Sequence, residues 1–248
     1  MQLAGQIALI TGGSRGIGRA TALLFAQEGA DIAFCHLNDD TQAETTAAEI
    51  RALGRRAMHR SVDVADIAAG KAFAQAVTRE FGPIDILFNN AGMNIRKPFP
   101  DYTEEDFDRI IGVHLKGMFF MAQAVFPAML ARGKGCIINV ASQRALKGAV
   151  NSAPYSAAKA GIIGLTRALS WEAAPKGVRV NAIAPGPIVT DLTATMEPAD
   201  RQAFIDALPI GRFGQPEEIA ATALLLAGPQ GGFYVGATLS PNGGDVMY

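Results

Sequence analysis

A glycine-rich turn near the start of the chain is the feature that most restricts the possible folds. Ile7 to Ile10 form a short apolar run typical of a buried parallel strand, and Thr11-Gly12-Gly13-Ser14-Arg15-Gly16-Ile17-Gly18 follows directly. Helical spacing then continues to Glu28. The glycines let backbone N–H groups approach a phosphate, and the helix N-terminus adds its positive dipole end. The segment therefore predicts a βα unit that binds a pyrophosphate, although such turns also serve packing alone.

Strand-like apolar runs alternate with helical stretches along the rest of the chain. This alternation is typical of a parallel sheet covered by helices. With 248 residues and 49% hydrophobic composition, the chain can bury a large core, and α/β domains of this length often remain single. We predict one α/β domain, residues 1–248, with a doubly wound, seven-stranded parallel sheet and helices on both faces.

Composition argues against several classes of partner. The net charge is −1 and neither sign clusters, so no nucleic-acid or anionic-membrane footprint is evident. No leader pattern and no apolar run of about 18 residues is present, which predicts a soluble, cytoplasmic protein. Cys35 and Cys136 lie in apolar runs typical of buried thiols in a reducing compartment. His36, His59 and His114 lack metal-ligand spacing, so we predict no catalytic metal.

Tyr155 and Lys159 are four residues apart at the start of a helical run. Positions i and i+4 share one helix face, so the ammonium can act on the phenol, favour phenolate and lower the tyrosine pKa. Tyr155 is then a candidate general acid or base. Ser142 ends the apolar run Ile137 to Ala141, which places a hydroxyl at the carboxyl end of a buried strand, where open α/β sheets bind ligands. Taken alone, a tyrosine and a lysine at this spacing can also occur at the exposed start of a helix without any catalytic role.

Three motifs occur in order: the glycine-rich turn, Asn89-Asn90-Ala91-Gly92 after the fourth apolar run, and Tyr155-x-x-x-Lys159. In this combination the chain resembles the short-chain dehydrogenase/reductase family over nearly all its length. The spacing Gly12-x-x-x-Gly16-x-Gly18 is the TGxxxGxG form of that family rather than GxGxxG. The resemblance implies a Rossmann fold, hydride transfer between a nicotinamide and a carbonyl or secondary alcohol, and a homotetramer.

The resemblance also assigns candidate cofactor residues. It places Asp63 and Val64 against the adenine. The turn of Asn90, Ala91 and Gly92 packs against the ribose. Ile188 and Thr190, after Pro185 and Gly186, lie by the nicotinamide carboxamide. With Tyr155 and Lys159, the other predicted cofactor contacts are Gly12, Ser14, Arg15, Gly16, Ile17, Gly18 and His36.

The choice between NADP(H) and NAD(H) depends on the end of the second strand. NAD-preferring members of the family carry an acidic residue there, which accepts bonds from a free 2′-hydroxyl, and this chain has His36 instead. Arg15 can pair with a 2′-phosphate, which favours NADP(H). Asp39 and Asp40 argue the other way, and Arg15 can equally be a solvated loop residue. NADP(H) is the expected cofactor, with NAD(H) the alternative.

One position departs from the family pattern. The resemblance implies a catalytic asparagine where this chain has His114, and the backbone carbonyl of that asparagine holds a water that connects the lysine to solvent. A histidine keeps the carbonyl but not the amide, which predicts an altered relay. The alternative is a helix histidine with a satisfied hydrogen bond and no catalytic part. His114 is therefore a fourth candidate catalytic residue beside Ser142, Tyr155 and Lys159.

Substrate recognition is predicted in two variable segments. Residues 191–212 form an irregular stretch expected to act as a lid. In the loop 143–148, Arg144 and Lys147 can meet an anionic substrate or remain solvated. The nearest likeness within the family is to 3-oxoacyl-carrier-protein and acetoacetyl-CoA reductases. Alternatives are a sugar or polyol dehydrogenase, a non-catalytic nucleotide-binding regulator, and an epimerase, which normally needs a longer chain.

Overall fold

The computed structural model describes residues 1–190, 193 and 197–247. Its centre is a seven-stranded sheet in the order β3-β2-β1-β4-β5-β6-β7, and every neighbouring pair is parallel. The predicted fold class is thereby confirmed. The strands are β1 (Ile7–Thr11), β2 (Asp31–His36), β3 (Ala57–Ser61), β4 (Ile86–Asn89), β5 (Gly135–Val140), β6 (Val178–Ile183) and β7 (Thr238–Leu239).

Helices cover both faces of the sheet. They are α1 (Gly16–Gln27), α2 (Asp40–Ala52), α3 (Ile67–Phe81), α4 (Glu104–Ile111), α5 (Gly117–Arg132), α6 (Arg144–Lys147), α7 (Ala153–Ala173), α8 (Pro198–Asp206) and α9 (Pro216–Ala227). Side chains alternate between the two faces along each strand. In β1, Ile10 packs in one core with Phe25 of α1, whereas Leu9 packs in the other with Phe73 of α3. Because both faces are covered, β1 and β4 are apolar at nearly every position and fully buried.

The strand order reverses between β1 and β4. The chain runs outward from β1 through β2 to β3, then returns to place β4 beside β1, with Thr11 opposite Asn89. In open α/β sheets, ligands bind in the crevice outside the carboxyl ends of the strands at such a reversal. The glycine-rich turn after β1 and the Asn90 turn after β4 meet at that crevice.

The helix between β4 and β5 has an irregular middle. Thr103 and Asp106 form an N-terminal capping box, each side chain accepting from the other residue's backbone N–H. Between α4 and α5, Gly112–Lys116 adopts a π-helical turn. The continuous stretch Glu104–Arg132 is long and apolar enough to cross a membrane, a test that core helices also pass. Here Met121 and Met129 pack into the core that α3 also lines.

Two predicted irregular segments contain helices. Within 143–148, Arg144–Lys147 forms α6, because all four residues favour helix and Gly148, at φ +73°, ends it. Within 191–212, Pro198–Asp206 forms α8, since Pro198 occupies the favoured first position and good helix formers follow. The predicted irregularity was wrong at these positions. Residues 191, 192 and 194–196 of the expected lid lie outside the described residues.

Candidate active site

The glycine-rich turn and the Asn90 turn form one hydrogen-bonded unit. Asn90 Nδ2 donates to the carbonyls of Gly12 and Thr11 at 3.0 and 3.1 Å. In return, the Thr11 hydroxyl accepts from the backbone N–H of Asn90 and of Ala91 at 2.9 and 3.0 Å. The sequence-predicted residues of both turns are thus brought together at the crevice.

Backbone packing requires glycine at two positions of the turn. Gly12 has φ +67°, in the left-handed region that side chains rarely adopt. A Cβ on Gly18 would lie 2.0 Å from the carbonyl oxygen of Gly12. Gly16 lies under Thr190, whose Cγ2 would be 3.3 Å from an added Cβ. The loop after β6 therefore closes over the same turn.

That loop is itself fixed by backbone contacts. The N–H of Gly186 donates to Pro241 at 3.0 Å, and an added Cβ would lie 2.6 Å from Cα of Asn242. The carbonyl of Pro185 accepts from the N–H of Gln143 at 3.0 Å. Ile188 is buried. The predicted nicotinamide-side residues are therefore joined to the segment after Ser142.

The carboxylate of Asp39 lies at the Ser14–Arg15 part of the glycine-rich turn. The sequence indicates it only as a negative charge near the second strand. Ser14 Oγ donates to Asp39 Oδ2 at 2.6 Å, and Arg15 Nε lies 3.4 Å from the same oxygen. The N–H of Asp39 donates to His36 Nδ1 at 3.3 Å. Asp39 was not predicted as a site residue because it lies beyond the second strand. Only the path of the folded loop places it beside Ser14.

His36 points into the protein. Its side chain is fully buried, and its Nε2 lies 3.2 Å from His59 Nδ1 on β3. Burial lowers the pKa of His36, which keeps the imidazole neutral. His36 supports the loop that carries Asp39, and its own contact with a cofactor stays a prediction.

The predicted adenine-side pair is packed against the helical stretch after β4. Asp63 Oδ2 accepts from Arg109 at 2.6 Å, and its Oδ1 accepts from the N–H of Ala65. Val64 is buried, and its carbonyl would lie 2.6 Å from a Cβ on Gly117. The Asp63 carboxylate already has partners, so its adenine contact also stays a prediction.

Three of the four predicted catalytic side chains, those of Ser142, Tyr155 and Lys159, converge at the carboxyl end of β5. Lys159 is 3% exposed; its Nζ donates to the carbonyl of Val140 at 2.6 Å and lies 5.6 Å from the centroid of the Tyr155 ring. Ser142 Oγ donates to Gln143 Oε1 at 2.9 Å and accepts from the N–H of Arg144 at 3.2 Å. Gln143 was not predicted, although its place beside Ser142 in the chain was the available signal.

Burial dominates the protonation of this cluster. Desolvation raises the pKa of Tyr155, while a hydrogen bond with Ser142 and the charge of Arg144 act in the opposite direction. Burial therefore outweighs the lowering of the Tyr155 pKa that the sequence predicts, and the contribution of Lys159 itself stays a prediction. Burial lowers the pKa of Lys159 to about 7. Near neutral pH, Tyr155 is a protonated phenol beside a lysine that is partly charged.

His114 lies in the π-helical turn and packs edge-on against Tyr155, with ring centroids 5.1 Å apart. Its Nε2 lies 2.7 Å from the carbonyl oxygen of Met93. Nδ1 is buried without a hydrogen-bond partner among the described residues. Burial, with the charge of Lys159, lowers the pKa of His114 to about 3. Gly92 is needed beside it, since an added Cβ would lie 2.7 Å from His114 Cε1.

The fold and this crevice define a class: a dinucleotide-binding α/β protein with a tyrosine, a serine and a lysine at the cofactor edge. A family model described as "Enoyl-(Acyl carrier protein) reductase" matches residues 12–245. The chain belongs to the short-chain dehydrogenase/reductase family and is an oxidoreductase.

Similar curated proteins span the whole chain. The 3-oxoacyl-(acyl-carrier-protein) reductase FabG of Thermotoga maritima is 37% identical over 247 residues, 100% of each chain. The (2S)-[(R)-hydroxy(phenyl)methyl]succinyl-CoA dehydrogenase subunit BbsD of Thauera aromatica is 38% identical over 248 residues, 100% of this chain and 99% of its own. Among solved structures, a blue fluorescent protein from a metagenomic library, in complex with NADPH, is 34% identical, with a TM-score of 0.95 and 100% of each chain covered.

Proposed function

We propose that the protein reduces a ketone to a secondary alcohol with NADP(H), the ketone being a 3-oxoacyl thioester or a similar 3-oxo compound. The observation that carries the proposal is the convergence of Tyr155, Ser142 and Lys159 beside the glycine-rich turn. The proposal is also supported by the similarity to the 3-oxoacyl-(acyl-carrier-protein) reductase of Thermotoga maritima. When bound, a nicotinamide cofactor would supply the hydride in reduction and accept it in oxidation.

Tyr155 is the proton donor in this proposal. Its raised pKa keeps the phenol protonated at neutral pH, which is the form that protonates a carbonyl oxygen during reduction. Ser142 Oγ donates a hydrogen bond to the same oxygen as negative charge develops there. Lys159 binds ribose hydroxyls and, while charged, stabilises the phenolate that Tyr155 becomes when it gives up its proton. The Val140 carbonyl fixes Lys159 for that role.

The residues of the crevice fit a dinucleotide phosphate. The turn carries no side chain at Gly12, Gly16 or Gly18, so its backbone N–H groups can approach a phosphate, and α1 begins at Gly16 with its N-terminus at the turn. Gly12, Ser14, Arg15, Gly16, Ile17 and Gly18 would hold the phosphates; His36, Asp63, Val64, Asn90, Ala91 and Gly92 the adenosine and ribose; and Pro185, Gly186, Ile188 and Thr190 the nicotinamide side. NADP(H) is favoured by Arg15 and by the NADPH complex of the similar fluorescent protein.

In this proposal His114 is a positioning residue. Its ring contacts Tyr155 and its Nε2 is fixed by Met93, so it holds the phenol in place as a neutral group. The unpartnered Nδ1 offers an acceptor for a water that connects Lys159 to solvent.

The reverse reaction, oxidation of a hydroxyacyl thioester, is the second candidate. A specific observation favours it: the relative in Thauera aromatica is named as a dehydrogenase of a hydroxylated acyl-CoA. Oxidation needs the phenolate of Tyr155, so its rate should rise with pH where that of reduction falls.

We also propose one domain, residues 1–248, with a lid around 191–212, acting in the cytoplasm as a homotetramer on a small-molecule substrate without nucleic acid or membrane. Exposed apolar groups support self-association. Trp171 on α7 is 83% exposed and Phe233 is 100% exposed, while Gly236 packs against Ser170 beside Trp171. Light scattering after size exclusion, with Trp171→Asp as the comparison, tests the assembly.

The function is tested by following nicotinamide absorbance with purified protein. NADPH and NADH are each paired with a carbonyl panel that includes a 3-oxoacyl thioester; NADP and NAD are paired with alcohols and sugars. Tyr155→Phe removes the proton donor and should abolish turnover while cofactor affinity stays nearly unchanged. Retained turnover in that variant would refute the assignment. Oxidation confined to sugars or polyols would favour a sugar or polyol dehydrogenase instead.

A further inference from the structure

A guanidinium group lies beside Tyr155 and forms no ion pair with a carboxylate of the described residues. Arg144 begins α6 two residues after Ser142, and its Cζ lies 5.8 Å from the centroid of the Tyr155 ring. Its Nη1 donates to the hydroxyl of Ser152 at 3.1 Å, a neutral acceptor. In the part of the chain that the structure describes, no carboxylate oxygen lies within 4 Å of this guanidinium. Arg144 therefore brings a full positive charge to the proposed proton donor.

The charges around Arg144 do not cancel it. Burial lowers the pKa of Arg144; Tyr155, Asp245 and Tyr102 act in the opposite direction, and the positive charge of Arg96, in the loop after β4, adds to the lowering. The Asp245 carboxylate accepts a hydrogen bond from Lys147, so those two charges neutralise each other. Because a guanidinium does not lose its proton in proteins, surplus positive charge remains at the mouth of the site.

A partly buried charge without a partner is costly unless a ligand supplies the partner. The planar fork of a guanidinium matches a carboxylate, which it binds with two parallel hydrogen bonds. Space for the rest of a small molecule adjoins Ser152. A cavity of about 280 Å³ is bordered there by Tyr102 and by the exposed apolar groups Phe99 and Val150.

We propose that the substrate carries a free carboxylate near the reacting carbonyl and that Arg144 binds this carboxylate and determines specificity for it. Lys147, the other cation of the segment, is held by Asp245 and does not take part. The proposal rests on the reductase function and, among the 3-oxo compounds proposed above, selects those with a free carboxylate over the simple 3-oxoacyl thioesters. A neutral ester or thioester with the same carbon chain leaves Arg144 without its partner and reacts less well.

The experiment compares 3-oxohexanoate with ethyl 3-oxohexanoate and the N-acetylcysteamine thioester, using NADPH. The quantity measured is kcat/KM for the acid divided by kcat/KM for the ester, because losses common to both substrates cancel. Wild type should favour the acid, and Arg144→Gln should lower the ratio about 30-fold. Arg144→Lys should restore part of it. Lys97→Gln is the matched control, since Lys97 borders the same cavity but is paired with Asp106 at 2.6 Å.

A second measurement needs no turnover. With saturating NADP, 3-oxohexanoate should raise the melting temperature of wild type and of Lys97→Gln, but not that of Arg144→Gln. A wild-type preference for the ester or thioester, or a ratio unchanged by Arg144→Gln, overturns the carboxylate proposal even if Tyr155-dependent reduction is observed. An Arg144-dependent thermal shift without any turnover supports the carboxylate site and counts against the reductase function. Absence of both the shift and the acid preference overturns the carboxylate proposal.

Discussion

The glycine-rich turn and the cluster around Tyr155 lie at the same edge of the sheet, but different forces hold them. The turn is built from backbone: Gly12 and Gly18 make room, and Asn90 and Thr11 tie the pieces together with neutral hydrogen bonds. The cluster is built from buried ionisable groups, and burial shifts the pKa of Tyr155, Lys159 and His114. Substitutions in the turn should therefore act through sterics at any pH, whereas those in the cluster should act through charge and depend on pH.

The largest expected effect is a gain of stability from Lys159→Met. The Lys159 pKa falls from 10.5 to about 7 on folding, so the unfolded chain binds more protons between these values. The destabilisation is full below pH 7 and disappears as pH rises past 10.5. The variant should gain up to about 5 kcal/mol of unfolding free energy at pH 6 and little at pH 10.5, measured by urea denaturation. A gain independent of pH would contradict a buried charge.

The titration of Lys159 should also affect how efficiently the enzyme binds its cofactor. Below pH 7 Lys159 is charged and can bind ribose hydroxyls as an ammonium; above it the neutral amine binds more weakly. We expect kcat/KM for NADPH to fall as pH rises through about 7, since this ratio reports groups of the free enzyme. If kcat/KM for NADPH stays constant from pH 6 to 9, the charge of Lys159 does not contribute to cofactor binding.

Gly18→Ala tests whether the glycine-rich turn depends on backbone packing rather than on charge. The added Cβ would lie 2.0 Å from the Gly12 carbonyl, so the turn must move. We expect a loss of about 3 kcal/mol in unfolding free energy and a cofactor dissociation constant raised about 100-fold at every pH. Gly164→Ala is the control: nothing lies within 4 Å of its added Cβ, and an alanine there should stabilise α7 slightly. Equal losses in both variants would remove the special role of the turn.

Asp39→Asn tests whether a charge also matters in the glycine-rich turn, which is otherwise held together by backbone contacts. Asn keeps an acceptor for Ser14 but removes the negative charge beside Arg15. The ratio of kcat/KM for NADPH to that for NADH should rise about tenfold, because a 2′-phosphate no longer meets a carboxylate. Asp40→Asn, whose side chain is 79% exposed, should leave the ratio unchanged. A ratio unaffected in Asp39→Asn would show that this carboxylate moves away on binding.

The smallest effect concerns His114→Asn. With a pKa of about 3, His114 is neutral across the working range, so its loss should not shift any inflection of the kcat profile between pH 5 and 8. The rate itself should change because the ring no longer supports Tyr155. An inflection near pH 6.5 that vanishes in the variant would show that the histidine titrates.

The parts that sequence predicts well are those with local causes. Alternating apolar runs determine the sheet, and the capping box at Thr103 and the glycine spacing have short-range signatures. The direction of the Tyr155 pKa shift depends instead on how deeply the whole fold buries a side chain. Asp39 beside Ser14 and Arg144 beside Tyr155 depend on loop paths that no spacing encodes. The helix at Arg144–Lys147 was missed because four residues are too few for a periodicity.

The π-helical turn at Gly112–Lys116 lets the helical stretch between Thr103 and Arg132 hold one residue more than a regular helix along the same path. A π-turn contains more residues than an α-helical turn, so the additional residue is absorbed there and α4 and α5 keep nearly the relative rotation of an uninterrupted helix. Removing one residue inside the turn should therefore leave the capping box and α5 in place and change only the side chains that the turn presents, including that of His114. A chain in which this stretch is one residue shorter should carry a different neighbour for Tyr155 while both flanking helices stay in register.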